Sequence, residues 1–261
     1  MNSQNPIPPI PPQIPPQLPP VATPGGQRPL GYDPSERVAI SNVIVAIEAI
    51  LRQPRRVMFQ LRQPGAGRLI AAMLFVSVVC SLIYGVVAGT FSCGTQLWAA
   101  PVKITVGLMI SALICLPSLY IFTCLGGSQA RLVEVFGLLA GLLMLMTILL
   151  VGFAPVAWIF SQSTDSLAWM GALHLIFWFI ATGFGLRFLE NGFSHLNAKS
   201  SAGFRLWAVI FLLVALQMTT ALRPILGKSE TFLPTKKEFF LAHWGECLRA
   251  QDGEPKSSSL E

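Results

Sequence analysis

The sequence predicts an all-α fold: a polytopic transmembrane helical bundle of five spans, with an interfacial amphipathic helix at each end. Three observations carry that prediction. Five long apolar segments follow one another between Leu69 and Pro224, separated by short polar breaks. The chain is 53% hydrophobic with a mean hydropathy of +0.61, although both of its ends are polar. None of the segments shows the two-residue alternation of a β-barrel strand. A helix needs about 20 apolar residues to cross a bilayer, and water-soluble cores do not string five such stretches together.

Residues 1–32 form a proline-rich cytoplasmic arm with eleven prolines and one charged side chain, Arg28. That composition favours solvated polyproline II over helix, so the arm is expected to be disordered. It is either a flexible tether or a PxxP-type ligand for an aromatic groove. A basic start and a short apolar run are both missing, so it is no secretory signal, and the first span is expected to direct insertion.

Residues 33–68 are expected to form an amphipathic, basic interfacial segment. Asp33 is placed to cap a helix, Pro34 suits the first helical position, and Glu36 falls where a capping box needs it. The largely apolar run from Val38 to Leu51 is too short to span. It predicts an interfacial or bundle-docked helix that Pro54 ends. Arg52, Arg55, Arg56, Arg62 and Arg68 are expected at the membrane surface, where each contributes about 1 kcal/mol against anionic headgroups. Membrane topology thereby accounts for most of the +6 net charge, which argues against a nucleic-acid partner.

The transmembrane domain is expected over 69–224, with spans at Leu69–Phe91, Lys103–Cys124, Leu132–Phe160, Leu167–Leu186 and Phe204–Leu222. Lys103 is expected to snorkel from the start of the second, and Glu134 to pair with Arg131 at the start of the third. Gly126 and Gly127 predict a turn, and Pro117 and Pro155 predict kinks. Arginines before the first span and in the 2–3 and 4–5 loops orient the N-terminus to the cytoplasm and the C-terminus outside. Lys103 and Arg223 oppose that orientation. Gly85 with Gly89, and Gly137 with Gly141, form Gly-x-x-x-Gly pairs that permit close helix approach, within the chain or between copies.

Residues 225–250 predict an external loop and a second amphipathic helix, capped by Thr235 and Glu238 and anchored at the interface by Phe240 and Trp244. Residues 251–261 are a polar, disordered tail. Cys93 and Cys247 fall on the external side, where an oxidising compartment makes them a candidate disulfide.

The Ile-Leu-Arg-Gln-Pro-Arg-Arg stretch at 50–56, before five spans and behind a proline-rich arm, resembles the Yip1-like superfamily of polytopic membrane proteins, in particular its bacterial members. The stretch Leu222-Arg223-Pro224, with Gly227, Phe239-Phe240 and Trp244 after it, is similar to the ending of uncharacterised bacterial membrane proteins. Eukaryotic relatives are implicated in vesicle trafficking and membrane shaping through partners. The resemblance therefore implies a non-enzymatic adaptor, here of a bacterial inner membrane.

Few polar groups fall within the predicted hydrocarbon, where ionisable side chains are functional candidates by default. His174 in span four is foremost, with Tyr84 as a bonding partner and Gln217 in span five as an interhelical hydrogen bonder. Together they make a candidate buried polar site. No catalytic constellation is present: paired aspartates and a Ser/His pair at mid-span are both missing. His174, His195 and His243 fall in different compartments, and no HExxH or CxxC occurs, so neither a metal nor a cofactor is expected. An enzyme would need a polar pocket near Arg187, Glu190 and His195. The expected function is a non-enzymatic membrane subunit, scaffold or adaptor, with membrane lipids and a protein partner or second copy as its contacts. The alternative is a small transporter, oligomeric channel or lipid-handling protein.

Overall fold

The computed structural model describes residues 29–90, 96–128, 130–163, 167–196 and 201–221. Within them the chain is helical without strands. Three short helices, α1 (Pro34–Arg37), α2 (Val43–Arg52) and α3 (Pro54–Leu61), precede five long ones. These are α4 (Ala66–Thr90), α5 (Gln96–Leu125), α6 (Leu132–Ser163), α7 (Leu167–His195) and α8 (Ser201–Ala221). Four of them, α4 to α7, are long and apolar enough to cross a membrane, and the described apolar part of α8 covers Gly203–Gln217.

Successive long helices run in opposite directions, and interlocking contacts fix their register. On α4 the missing side chain of Gly85 admits the backbone of Pro101 of α5. One turn back along α4 and one turn forward along α5, the hydroxyls of Ser81 and Thr105 meet at 2.9 Å. Between α6 and α7 the notches alternate. Phe188 fills the space at Gly141, Leu142 that at Gly185 and Leu138 that at Gly192; a Cβ on any of the three would lie 2.5–3.1 Å from the neighbouring side chain. Phe153 stacks on Phe177 at a ring separation of 4.8 Å further along the same pair. Such close fits hold helices together where apolar burial alone gives no preference over lipid.

At the centre stands α6. It packs most extensively on α4 and α7, and 67% of its most apolar window is buried, against 33–39% for α4, α5 and α7. Leu139, Leu142, Leu143, Met144 and Met146 fill the middle of the bundle. The outward faces carry large apolar residues instead, among them Phe75, Leu113, Ile121, Ile159, Ile176 and Phe184. An apolar perimeter of that kind suits lipid and not water.

Pro117 and Pro155 lie inside continuous helices. Near Pro117 the Cys115 carbonyl accepts from the Ser118 hydroxyl at 2.8 Å and from the indole N–H of Trp207 at 3.0 Å. Trp207 is fully buried and stacks with Phe204 and Phe211. Those contacts seat α8 against α5. Gly127 closes α5 with φ +80, the left-handed conformation that glycine adopts most readily, as its place in the turn predicted.

The segment before α4 differs from its expectation in two respects. One helix was expected from Asp33 onward, but α1 is a single turn and the chain extends at Val38 before α2 begins. The cause lies in α3. Arg56 donates to the carbonyls of Val38 and Ala39, while Gln60 bonds the N–H of Ile40 and the carbonyl of Val38. These bonds hold 38–40 extended against helix propensity. Glu36, moreover, accepts from the Gly31 N–H and from Arg55 Nε, both at 2.5 Å, in place of closing a local capping box. The opposite face of α3 buries Val57, Met58 and Leu61, with Leu61 seated in the notch at Gly137.

Candidate functional site

Two ends of the bundle follow from the register: an arm end, where α4, α6 and α8 begin, and a distal end, where α5 and α7 begin. Polar side chains of the long helices divide between them. Near mid-helix, Ser77, Ser111 and Thr147 satisfy their hydroxyls on carbonyls four residues earlier. Such groups need no outside partner. The distal half instead carries Tyr84, Lys103, His174 and Gln217.

Tyr84 lies six residues before the end of α4, and His174 seven residues after the start of α7. At a rise of about 1.5 Å per residue both sit roughly 10 Å below their helix ends. With α4 and α7 both packed on α6, that shared depth makes their side chains meet. Tyr84 Oη lies 2.6 Å from His174 Nδ1, with the rings edge-to-face at 5.6 Å. Tyr84 is buried and His174 half-buried. The second ring nitrogen, Nε2, is covered and has no hydrogen-bond partner among the described residues. A phenol is a stronger acid than a neutral imidazole, which assigns Tyr84 as donor and leaves Nε2 with the proton.

Gln217 of α8 is half-buried at the same end, on a helix packed against α5. Tyr84 and His174 are joined by a direct bond; Gln217 belongs to the α5–α8 side of the bundle. Lys103 departs from its expectation. Helix α5 begins at Gln96, seven residues earlier, and Lys103 is 3% exposed within the bundle, where snorkelling was expected. Comparison with family models, curated proteins and solved structures finds no match.

The remaining expected sites fall elsewhere. Arg55 is drawn into the Glu36 contact and also donates to the Pro29 carbonyl at 3.3 Å, and Arg56 is spent on α3's grip of the preceding chain. Arg52, Arg62 and Arg68 are exposed, Arg52 with Glu48 at 3.5 Å. Glu134 accepts from the backbone N–H of Arg131 at 3.1 Å, a helix-start cap and not the side-chain ion pair that the spacing predicted. Gly85, Gly137 and Gly141 each receive a residue of this same chain, and Gly89 is buried. Arg187 and Glu190 are exposed near the arm end of α7, with His195 half-buried at its terminus. Cys93, Cys247, Phe240 and Trp244 lie outside the described residues, as does the arm over 1–28.

Trp207 is a residue that sequence reasoning passed over. A tryptophan in an apolar span signals core or interface equally well. Its partner here is a backbone carbonyl, which leaves no mark in sequence.

Proposed function

We infer that this chain is a non-enzymatic integral membrane subunit, scaffold or adaptor that spans the bacterial inner membrane five times. The observation that carries the reading is the filled centre of the bundle. Leucine and methionine side chains close the space around α6, while α2 and α3 dock on its arm end through Ile50 at Gly141 and Leu61 at Gly137. A body built this way holds its helices and its leading segment in place. Its working surfaces are then the lipid-facing helix faces, together with the proline-rich sequence ahead of the bundle.

The fifth span is α8, whose 21 residues reach about 31 Å, close to the thickness of a hydrocarbon core. Arg68, Arg187 and Arg205 are exposed near arm-end helix termini, whereas Trp98, Trp158 and Trp169 are exposed near distal ones. Basic residues favour the cytoplasmic side and tryptophans line interfaces, so the arm end is cytoplasmic in this reading. Helix α2 is two-faced. Ala46, Ala49 and Ile50 meet the protein, and Val43, Ile44 and Leu51 turn outward, with Arg52 beside them for headgroups. The resemblance to Yip1-like proteins points to the same adaptor role.

The Tyr84–His174 pair supports the second reading, a small transporter, channel or lipid-handling protein, because a bundle with purely structural polar groups would leave no imidazole nitrogen unpartnered. Affinity capture after mild extraction separates the two, using the full chain beside a variant lacking residues 1–28. The adaptor reading expects a stoichiometric polypeptide with the full chain that is lost, or at least tenfold depleted, with the shortened one. Capture of lipid alone by both would sink it.

A further inference from the structure

The Tyr84–His174 pair is incomplete in a way that points outside the chain. A neutral imidazole carries one N–H and one lone pair. The phenol takes the lone pair at Nδ1, 2.6 Å away, and the N–H at Nε2 stays buried with no acceptor among the described residues. Leaving such a donor unmet costs about 1–3 kcal/mol, and more in hydrocarbon, where water does not compensate.

Depth and surroundings narrow what would meet it. Helix α4, at 25 residues, is about 38 Å long and overhangs a hydrocarbon core of about 30 Å by about 4 Å at each end. The pair, roughly 10 Å below the helix ends, therefore lies about 6 Å inside the hydrocarbon boundary. That level is too deep for a hydrated phosphate and suits an uncharged oxygen. Among the described residues the acidic side chains, Asp33, Glu36, Glu48, Glu134 and Glu190, all belong to the arm end. Tyr84 spends its proton on Nδ1, and the amide oxygen of Gln217, at the same end, belongs to the α5–α8 side of the bundle. The missing group is thus a hydrogen-bond acceptor.

We propose that the Nε2–H of His174 binds the carbonyl oxygen of a membrane-soluble amphiphile entering sideways from the leaflet at the distal end. Two sources share that chemistry, the acyl ester of a phospholipid and the ring carbonyl of a quinone. His174 is only half-buried, so part of its ring reaches the bundle surface, and the Tyr84 bond to Nδ1 fixes the tautomer that keeps the proton at Nε2. No bond is made or broken. The site holds, and it serves adaptor and transporter alike.

The test uses the full chain purified from its native membrane in mild detergent, with intact-complex mass spectrometry and extraction of whatever remains bound. The wild-type chain is expected to retain one carbonyl ligand per copy. Its mass distinguishes phospholipid from quinone, and ultraviolet absorbance identifies a quinone independently. His174→Phe should lower occupancy at least tenfold and lower the melting temperature, because the buried Tyr84 hydroxyl loses its acceptor and the bound ligand's stabilisation is lost. Tyr84→Phe should lower occupancy several-fold by freeing the tautomer. A second readout needs no variant: the Nε2 resonance of 15N-histidine-labelled protein should shift when the ligand is stripped and return when it is restored. A wild-type chain without a stoichiometric carbonyl ligand, equal occupancy in His174→Phe, or an Nε2 resonance indifferent to stripping would each overturn the proposal.

Discussion

Single residues in this bundle are decided by what stands opposite them. Gly141 meets the Phe188 ring where a Cβ would lie at 2.5 Å, whereas Gly152 meets nothing within 4 Å. Gly141→Leu is expected to lower stability by about 1–3 kcal/mol or more through overpacking. Gly152→Ala should stay within about 0.5 kcal/mol. Thermal unfolding in detergent checks both, and equal effects would contradict the packing described. Trp207→Phe keeps the ring stack but removes the donor to Cys115. The cost should be about 0.5–1.5 kcal/mol, towards the low end because Ser118 still satisfies that carbonyl. Faster amide exchange along α8 would register it.

Some of this residue-level detail was legible. Polar groups are so scarce in the spans that His174 and Tyr84 stood out, and Gly-x-x-x-Gly spacing marked Gly137 and Gly141 as notches. What fills those notches was not legible, because Leu61 and Phe188 arrive from far along the chain. The depth of Lys103 was missed because apolar counting started its helix at the lysine, while Gln96, Trp98 and Pro101 extend it earlier.

Among the elements, α3 has the most to explain. It carries an apolar face for α6 and a polar face that grips residues 29–40, so the leading segment is fixed to the bundle by side chain-to-backbone bonds and by the Arg55–Glu36 contact. Glu36 is the buried end of that grip. A double-mutant cycle of Glu36→Gln and Arg55→Gln should give a coupling of about 1–3 kcal/mol, the range for hydrogen bonds to charged groups, with part of it screened because Arg55 is partly exposed. Hydrogen exchange over residues 30–40 is the direct readout. Additive effects of the two changes would mean the ion pair does not hold the segment. The sequence announced the Asp33 cap and the Pro54 break, which are local signals. It did not announce the break at 38–42, since no proline or glycine stands there and its cause lies near residue 60. Arg55 and Arg56 looked like membrane-facing charges for the same reason: a basic residue beside a span carries no sign of a carboxylate 19 residues earlier.

At the scale of the whole molecule, a helical membrane bundle was legible because span length and apolarity are properties of contiguous residues. Helix order in space was beyond it. That α6 is central while α8 leans on α5 depends on notches and on one indole bond that periodicity does not encode. Orientation is tested through Cys124, exposed at the arm end of α5, beside Cys115, which is buried. With the other cysteines replaced by serine, a membrane-impermeant maleimide should label Cys124 in inverted vesicles and not in intact cells, and should leave Cys115 unlabelled in both. Labelling of Cys124 from outside intact cells would reverse the topology.

We propose that this closed bundle works through what binds its outer surfaces. The most direct measurement is the mass of the particle released from native membrane into lipid nanodiscs without detergent. A stoichiometric assembly containing at least one further polypeptide beyond the 28.3 kDa chain is expected. A particle holding a single 28.3 kDa chain and lipid alone would contradict it.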